Sequence, residues 1–445
     1  MKLPHTLWIL LALGALLRVA AIELRPTGAM LVAPDEPEYL EIAQNIAAGN
    51  GFAIHGQPTA YRDMLFPFWA AAKGSVIGLP HSVLYAQLVA DLLTALLLFG
   101  LIRRRVSERA AVIGAGLWLL YPAAILFTAL FLTETLFVFL WVLALWLYDR
   151  LAISPSSGEL GGIFLGLCLG LLMLTRSTGV ILVGAILLML IYHRQFRNAL
   201  VVLGIMFLTV LPWMVRNASA LGAFTLNTNS GVNIFIGNNP YATGAYRFDQ
   251  IVSDQLCDLP VQTPEDPIPG ILRPKGEVEA NRWATELALY YWREHPVDAL
   301  ALWPKKLAYF WSTDMSLWAH YLPRPELSLR EQLRAAPLVP LVVTGLFYML
   351  LAIGGVAGII LVRSTPLRGL LLMQLVLAIL ATLATYGLAR YHYPMMPALI
   401  IGAVALVQNP GGWRKAARTH RIAAGLVIAC FAVIWAAEIW TVAAG

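Results

Sequence analysis

The sequence predicts an all-α polytopic membrane protein with about eleven transmembrane helices, and three observations support this fold class. Hydrophobic residues make up 59% of the 445 residues, and charged residues only 13%. Soluble domains carry about 25% charged residues, so one globular core could not bury this much apolar surface. Apolar segments approaching the length of a bilayer span recur along the chain, and short basic tracts separate many of them.

The predicted spans are assigned from the apolar segments. They are 6–23, 83–101, 110–128, 131–148, 160–175, 178–192, 198–215, 338–362, 369–389, 392–408 and 422–440. The first resembles a signal peptide, but Arg18 interrupts it just before two alanines, and we expect it to remain as an uncleaved span.

Basic tracts predict the orientation of the spans. They follow the second, sixth, eighth and tenth spans, near residues 103–109, 194–197, 363–368 and 414–421. If the spans alternate in direction, all four tracts lie on one side, and the positive-inside rule makes that side the cytoplasm. We therefore expect a cytoplasmic N-terminus in a bacterial inner (plasma) membrane, with the active site on the periplasmic or extracellular side.

The connecting segments divide the chain into three expected parts. Residues 1–215 form an N-terminal transmembrane module that includes a first outer catalytic loop, 24–82. Residues 216–337 form a large outer loop with interfacial helices, and residues 338–445 form the C-terminal transmembrane helices.

Composition excludes several classes of protein. The net charge of +6 is spread over several tracts rather than gathered in one patch, so nucleic acid is not an expected partner. The three cysteines lie far apart, without disulfide or metal spacing. No P-loop, Rossmann glycine motif or zinc signature is present, so a cytoplasmic nucleotide-sugar enzyme is not supported. No cofactor is certain, and a divalent metal is left open.

Helical patterns occur in both outer loops. Asp35 and Glu38 have capping-box spacing, and Tyr39, Ile42 and Ile46 follow as an apolar stripe. A second helix is expected from about Pro67. The large loop carries a helical, aromatic-rich stretch over about 281–311, which would suit the membrane interface.

Asp35 and Glu36 admit two interpretations. A carboxylate pair just past a membrane span could deprotonate an acceptor hydroxyl. Asp35 could instead be only an N-cap, with Glu36 a first-turn acid favoured by the helix dipole.

Charged residues at span ends indicate a phosphate site. On the predicted topology Arg62, Glu134, Arg176 and Arg390 share the outer side with Asp35. Arginine holds phosphate by a bidentate fork, so this grouping suits a lipid-linked phosphate substrate. Each charge could also be a helix-end anchor or part of a buried ion pair. Arg18 and Asp91 are expected to be structural and to pair between the first two spans.

The segment 227–244 is dense in asparagine and glycine. Amide side chains both donate and accept hydrogen bonds, as a site for sugar hydroxyls requires. A turn-rich surface loop would have the same composition.

In its motif order, the chain resembles the GT-C membrane glycosyltransferases, in particular the branch of protein O-mannosyltransferases and aminoarabinose lipid A transferases. The matching elements are Pro34-Asp35-Glu36-Pro37-Glu38-Tyr39, Gly56-Gln57-Pro58-Thr59-Ala60-Tyr61-Arg62, Leu132-Thr133-Glu134, Gly237-Asn238-Asn239-Pro240 and Arg390-Tyr391-His392-Tyr393-Pro394. The resemblance extends over most of the chain, but no large soluble domain follows the last predicted span.

This resemblance implies an inverting glycosyltransferase that uses a polyprenyl-phosphate-linked sugar. The acceptor would be a lipid, glycan or protein, and membrane lipids would surround the enzyme. Asp35 and Glu36 match the catalytic acidic pair. The expected donor phosphate ligands are Arg62, Arg176 and Arg390. The expected sugar or acceptor contacts are Glu134, Tyr61, Asn238, Asn239 and Tyr391.

Two other classes of function remain open at this stage. A flippase or other transporter of lipid-linked saccharides would place polar residues through the middle of several spans, whereas here the charges gather at one face. An assembly protein without an active site would leave the grouping of Asp35 with the arginines unexplained.

Overall fold

A computed structural model describes residues 3–25, 35–153, 158–246, 276–324, 326–362, 367–409 and 411–443. Parts of the predicted outer loops 24–82 and 216–337, and part of the basic tract at 363–368, lie outside these ranges. The regular structure in the described ranges is helical apart from one two-stranded antiparallel hairpin, β1 (Ala53–Ile54) and β2 (Gln57–Pro58). The predicted all-α membrane fold class is thereby confirmed.

The helices of the N-terminal half include most of the predicted spans. They are α1 (His5–Leu24), α2 (Glu36–Ala47), α3 (Leu65–Ile77), α4 (His81–Arg105), α5 (Glu108–Leu119), α6 (Pro122–Thr128), α7 (Glu134–Ile153), α8 (Gly158–Thr175), α9 (Val180–Tyr192) and α10 (Phe196–Leu221). A 3₁₀ turn, Ser177–Gly179, joins α8 to α9.

The C-terminal half begins with short helices of the large connecting segment. The elements are α11 (Ser230–Ile236), α12 (Glu277–Glu294), α13 (Pro296–Ala301), α14 (Trp303–Phe310), α15 (Leu317–Tyr321), α16 (Leu329–Ala335), α17 (Leu338–Leu361), α18 (Arg368–Ala384), α19 (Met396–Gln408), α20 (Gly412–Lys415) and α21 (Arg418–Ala443). Three further 3₁₀ turns, Asp314–Ser316, Ala389–Tyr391 and Tyr393–Met395, lie between these helices.

Every predicted span overlaps helical structure, but not every helix is long enough to cross a bilayer. Among the described residues, α1, α4, α10, α17 and α21 are both long and apolar enough. The shorter apolar helices include α8, α9 and α18. The chain is an integral membrane protein, and the expected number of eleven spans stays a prediction.

The third predicted span, 110–128, is wrong as one continuous helix. It consists of α5 and α6, which are bent by 53° at a short break. Pro122 starts α6, and Tyr121 before it adopts an extended backbone. This is the conformation that a proline imposes on its preceding residue. The predicted helix over 281–311 is likewise divided, into α12, α13 and α14.

Glycines allow several helices to approach one another closely. A Cβ on Gly358 of α17 would lie 1.8 Å from the Gly402 carbonyl oxygen of α19. A glycine at every fourth position of α8, at 162, 166 and 170, faces α10, and a Cβ on Gly166 would lie 2.7 Å from the Val202 carbonyl oxygen. Small residues at this spacing are typical of contacts between transmembrane helices.

Candidate active site

A polar cavity of about 170 Å³ lies where the first connecting segment meets the segments that follow α8 and α18. Charged groups, tyrosines and amides line it. They include Asp35, Asp63, Arg62, Arg176, Arg390, His320, Tyr39, Tyr61, Tyr246, Tyr386, Tyr391, Asn229 and Asn233. Segments far apart in sequence therefore converge on one site.

Asp35 accepts hydrogen bonds from two arginines and does not cap α2. Its Oδ1 lies 2.8 Å from Arg62 Nη2, and its Oδ2 lies 2.7 Å from Arg390 Nη2. Asp35 has a helical backbone conformation and makes no side-chain capping hydrogen bond. The N-cap interpretation is wrong, because both carboxylate oxygens face cationic partners.

Arg62 is also held by the first turn of α2. Its Nε donates to Glu38 Oε2 at 2.6 Å. Its guanidinium carbon lies 5.4 Å from the ring centre of Tyr39 and 5.3 Å from that of Tyr61. Glu38, which was expected to complete a capping box, instead orients Arg62. The two tyrosines flank the Arg62 guanidinium group.

Arg176 and Arg390 converge on Glu134 at the start of α7. Arg176 Nη1 lies 2.6 Å from Glu134 Oε1 and 2.9 Å from Thr133 Oγ1. Arg390 Nε lies 3.4 Å from Glu134 Oε1 but, within the part of the chain that the structure describes, has no hydrogen-bond partner. Glu134 therefore links two arginines, and the buried Arg390 Nε–H beside it makes no hydrogen bond within the described residues.

The electrostatics of Asp35 follow from these contacts. Burial alone would raise the pKa of the carboxyl group. The Arg390 and Arg62 guanidinium groups outweigh burial and hold its pKa well below the ordinary value. Asp35 is consequently ionised throughout the physiological range, and its charge is shared by two arginines.

Asp63 is a second cavity acid, with neutral hydrogen-bond donors. Its Oδ2 accepts from the Ser177 backbone N–H at 3.1 Å, and its Oδ1 accepts from Asn227 Nδ2 at 3.3 Å. Burial raises the pKa of Asp63. These bonds connect the residue after Arg62 to the residue after Arg176, so they fix the two arginine-bearing segments relative to each other.

Glu36 lies outside the cavity, although it is adjacent to Asp35. It is fully buried, and Arg25 donates to both of its oxygens at 3.0 and 3.1 Å. The Phe131 backbone N–H adds a third hydrogen bond at 2.8 Å. Successive residues of a helix point about 100° apart, which sends the two acids to different surroundings. These contacts give Glu36 a structural role, and its predicted catalytic role has no geometric support.

Asn238 and Asn239 also lie outside the cavity and bind protein groups. Asn238 Oδ1 accepts from Trp292 Nε1 at 2.9 Å and from Lys306 Nζ at 2.8 Å. Asn239 Nδ2 donates to the Phe235 carbonyl oxygen at 2.8 Å. Asn238 ties its loop to distant helices and Asn239 stabilises the loop itself, so the structure does not support them as sugar contacts.

The other predicted site residues do line the cavity or its extension. Arg62, Arg176 and Arg390 line the cavity with Tyr61 and Tyr391. The Tyr386 hydroxyl donates to Asn233 Oδ1 at 3.1 Å and therefore accepts from the Tyr391 hydroxyl at 2.5 Å. Asn233 belongs to the asparagine-rich segment 227–244, although it was not named as a site residue, whereas nothing in the local sequence distinguishes Tyr386 and His320.

A largely apolar groove of about 100 Å³ adjoins the cavity. It shares Arg176, Arg390 and Tyr391 with the cavity, and Glu134 also lines it. Its apolar walls come from α7, α9 and α18 and from the segment before α19. They include Phe137, Trp141, Ile181, Phe310, Ala378, Ala381, Pro394 and Met395. A charged site and an apolar groove therefore meet at the same arginines.

Metal binding has no preformed site within the described ranges, because no group of three or more His, Cys, Asp or Glu side chains is placed to hold an ion there.

Residues 65–215 match a family model described as dolichyl-phosphate-mannose-protein mannosyltransferase. The match runs from α3 into α10, about a third of the chain, and includes Glu134 and Arg176. It confirms the resemblance to GT-C glycosyltransferases over this segment. No curated protein matches the chain.

Solved structures of membrane glycosyltransferases are similar to the chain at low sequence identity. The apo oligosaccharyltransferase of Archaeoglobus fulgidus has 16% identity and a TM-score of 0.48, covering 96% of this chain and 54% of that chain. ArnT from Cupriavidus metallidurans bound to undecaprenyl phosphate has 15% identity and a TM-score of 0.45, covering 92% and 79%. This chain spans about half the length of the archaeal enzyme.

Proposed function

We propose that this protein is an inverting glycosyltransferase that moves a hexosyl or pentosyl unit from a polyprenyl-phosphate-linked donor to a hydroxyl or phosphate of an acceptor. One observation carries the proposal: three arginines and Asp35 converge on a cavity that continues into an apolar groove. A lipid-linked phosphate has both chemistries, an anionic headgroup and a hydrocarbon tail. The family model that matches residues 65–215 supports the same donor class.

The donor would bind where the cavity meets the groove. Arg176 and Arg390 line both, so a phosphate held there leaves its first isoprene units against the apolar wall of α7 and α18. Arginine forks form strong, directional hydrogen bonds to phosphate oxygens. Arg390 Nε is buried 3.4 Å from Glu134 Oε1 and donates no hydrogen bond within the described residues, so Arg390 would have to turn to offer this group to a phosphate.

Donor binding would also release the catalytic base. Asp35 and a donor phosphate compete for Arg62 and Arg390, since both anions need the same guanidinium groups. As the arginines turn toward the phosphate, the pKa of Asp35 rises from its depressed value, and the carboxylate becomes a stronger proton acceptor. Asp35 would then act as base only when donor is present.

The reaction would proceed in one displacement. The acceptor oxygen forms a bond to the anomeric carbon from the face opposite the phosphate, and its proton passes to Asp35. The bond from the anomeric carbon to the phosphate oxygen breaks, and its electron pair stays on polyprenyl phosphate. The arginines stabilise the extra negative charge that develops there. Tyr61 and Tyr391 lie in the cavity where they could contact the sugar.

The proposed location is the periplasmic or extracellular face of the bacterial inner membrane. The basic tracts between spans motivate it, since they predict the opposite side to be cytoplasmic. The acceptor would be a lipid, glycan or protein presented at that face.

A transporter of lipid-linked saccharides is a weaker candidate. It requires polar groups that line a path through the middle of the bundle. Arg18 and Asp91 form a buried pair between two spans, but this pair is closed off by its own protein partners. The alternative would be favoured if the protein moved the donor across vesicles without releasing polyprenyl phosphate.

The experiment that tests the donor site is a binding measurement on the purified full-length protein. We expect undecaprenyl phosphate to raise the melting temperature, whereas undecaprenol, which lacks the phosphate, should not. Arg390→Gln should abolish the difference, and Arg197→Gln, at an exposed position on α10, should preserve it. Equal responses to both lipids would contradict the proposal. Turnover of a panel of polyprenyl-phosphate hexoses and pentoses would then identify the sugar.

A further inference from the structure

His320 lies on α15, a five-residue helix that is anchored on both sides. Trp318 Nε1 donates to Thr344 Oγ1 of α17 at 3.0 Å, and the Tyr321 hydroxyl donates to the Ala21 carbonyl oxygen of α1 at 2.7 Å. The two aromatic rings also pack edge to face, with centres 5.7 Å apart. The helix is therefore fixed between two long helices, and His320, between its anchors, lines the cavity.

The imidazole of His320 has no hydrogen-bond partner among the residues that the structure describes. The ring nitrogens are not among the enclosed polar atoms without a partner, so the ring can offer hydrogen bonds to a molecule in the cavity that it lines. His392, by contrast, uses both ring nitrogens, toward the Phe310 carbonyl oxygen at 2.6 Å and Asp314 at 2.9 Å. The unpaired ring nitrogens of His320 face a cavity that already holds the proposed reacting groups.

The surroundings of His320 favour its neutral form. Burial and the positive charge of Arg390 lower the pKa of His320, against the opposing effect of Asp35, Glu134 and Glu36. A neutral imidazole has one donating and one accepting nitrogen. At neutral pH the ring can therefore both accept a hydrogen bond from a hydroxyl and donate one.

We propose that His320 contacts substrate in this cavity and accepts a hydrogen bond from a hydroxyl of the transferred sugar or of the acceptor. The inference rests on the proposed function and adds a substrate-binding residue to it. A sugar hydroxyl and an acceptor hydroxyl offer the same chemistry, and both must come within the cavity during transfer. No bond to His320 forms or breaks in this role; it positions the hydroxyl while Asp35 takes the acceptor proton.

The first test compares His320→Ala with His320→Gln. The alanine variant should lower kcat/KM for transfer into washed membranes from cells lacking the protein by roughly 5- to 100-fold, the cost of an unsatisfied buried hydroxyl. The glutamine variant, whose amide still accepts a hydrogen bond, should recover most of the rate. His193→Gln, at an exposed histidine after α9, is the matched control and should be normal.

The pH profile supplies a readout that a merely structural role would not change. As pH falls through the lowered pKa of His320, the imidazole gains a proton and can no longer accept a hydrogen bond. The wild-type rate should therefore decline on the acid side, and this decline should disappear in His320→Gln, which does not titrate. Asp35 titrates in both proteins. Any acid-side decline in rate that it causes is therefore the same in both and cannot produce a difference between wild type and His320→Gln.

Binding without acceptor distinguishes the two sources of the hydroxyl. If His320 contacts the sugar, His320→Ala weakens binding of the polyprenyl-phosphate sugar but not of undecaprenyl phosphate. If it contacts the acceptor, both lipids bind normally and only transfer suffers. Normal transfer with an unchanged acid limb in His320→Gln and His320→Ala would overturn the inference. Failure of the wild type to bind undecaprenyl phosphate would instead overturn the proposed function.

Discussion

Two buried arginine–aspartate pairs in this protein have the same chemistry but different surroundings. Arg18 of α1 and Asp91 of α4 are 0% and 1% exposed, and Arg18 Nε lies 2.7 Å from Asp91 Oδ2. Arg390 and Asp35 are 23% and 17% exposed and line a cavity. The first pair is enclosed by protein, whereas the second can exchange its partner for a ligand.

The difference lies in what surrounds each arginine. Arg18 Nη1 donates to the carbonyl oxygens of Gly14 and Leu119 at 3.0 and 2.8 Å, so the backbone of two helices fixes it. Arg18 Nη2 and Arg390 Nε both lack a hydrogen bond within the described residues, so an unpaired N–H does not distinguish the pairs, whereas the contact of Arg390 with the cavity does. A buried ion pair costs desolvation and is weak evidence for stability or function by itself. Access to a cavity distinguishes Arg390–Asp35, which can bind a ligand, from Arg18–Asp91, which holds two helices together.

The same substitution in each pair gives the largest expected contrast. Asp35→Asn should reduce sugar transfer per folded molecule by about 100- to 10,000-fold, because the amide cannot take the acceptor proton. Asp91→Asn should leave the transfer rate of the folded fraction near normal and lower the yield of folded protein. Turnover normalised to the folded fraction measures both. An active Asp35→Asn protein would mean that we have named the wrong base.

Removing one member of the enclosed pair should destabilise the fold. Arg18→Leu leaves the Asp91 carboxylate buried without a cation, at a cost of about 3–5 kcal/mol of unfolding free energy. Arg18→Leu combined with Asp91→Leu should recover most of this loss, since neither charge remains. Reversible unfolding in mixed micelles checks the pair of variants. A double variant no more stable than Arg18→Leu would argue against a purely structural pair.

Glu36 tests whether sequence adjacency to Asp35 implies a shared role. Glu36→Gln removes the charge that faces Arg25, so we expect a loss of stability of roughly 1–3 kcal/mol. The transfer rate of the folded protein should change far less than in Asp35→Asn. A fall in transfer rate equal to that of Asp35→Asn, at unchanged melting temperature, would restore Glu36 to the catalytic group.

Replacement of Arg390 should act mainly on donor affinity. Arg390→Gln removes one charge-assisted contact, which should weaken undecaprenyl phosphate binding by roughly 1.5–3 kcal/mol. Arg390→Lys keeps the positive charge but loses the two parallel N–H donors of the guanidinium group. Its affinity for undecaprenyl phosphate should therefore fall between those of the wild type and Arg390→Gln. Titration of the purified wild type and variants with undecaprenyl phosphate measures the order of their affinities. Equal affinity in all three proteins would place the phosphate elsewhere.

Local patterns predicted much of the fold and part of the site. The stripe formed by Tyr39, Ile42 and Ile46 indicated α2, and the apolar segments indicated the long helices. The intramembrane charges of Arg18 and Asp91 indicated a pair between the first two spans, which the structure confirms. Asp35 was recognised as a candidate base, but the same residues also predicted an N-cap that does not form.

Pairings between distant segments were beyond the reach of sequence patterns. Arg390 donates to Asp35 across 355 residues, and Arg25 holds Glu36 across 11 residues. Asn238 and Asn239 had the composition of a sugar site, but Asn238 binds Trp292 of a distant helix and Asn239 binds its own loop. His320 gave no signal, because a single histidine in a short helix has no distinguishing spacing.

The sequence by itself determined that this chain is helical and membrane-embedded, because hydropathy and charge spacing follow directly from residue type. It also placed Arg176 and Arg390 near the ends of predicted spans, and Arg62 within the first predicted outer loop. Only the tertiary structure decided which charges meet, which of two adjacent acids enters the cavity and which arginine–aspartate pair borders it. Those outcomes depend on how the helices pack and in which direction the chain runs, and both are set by segments that lie far apart in the sequence.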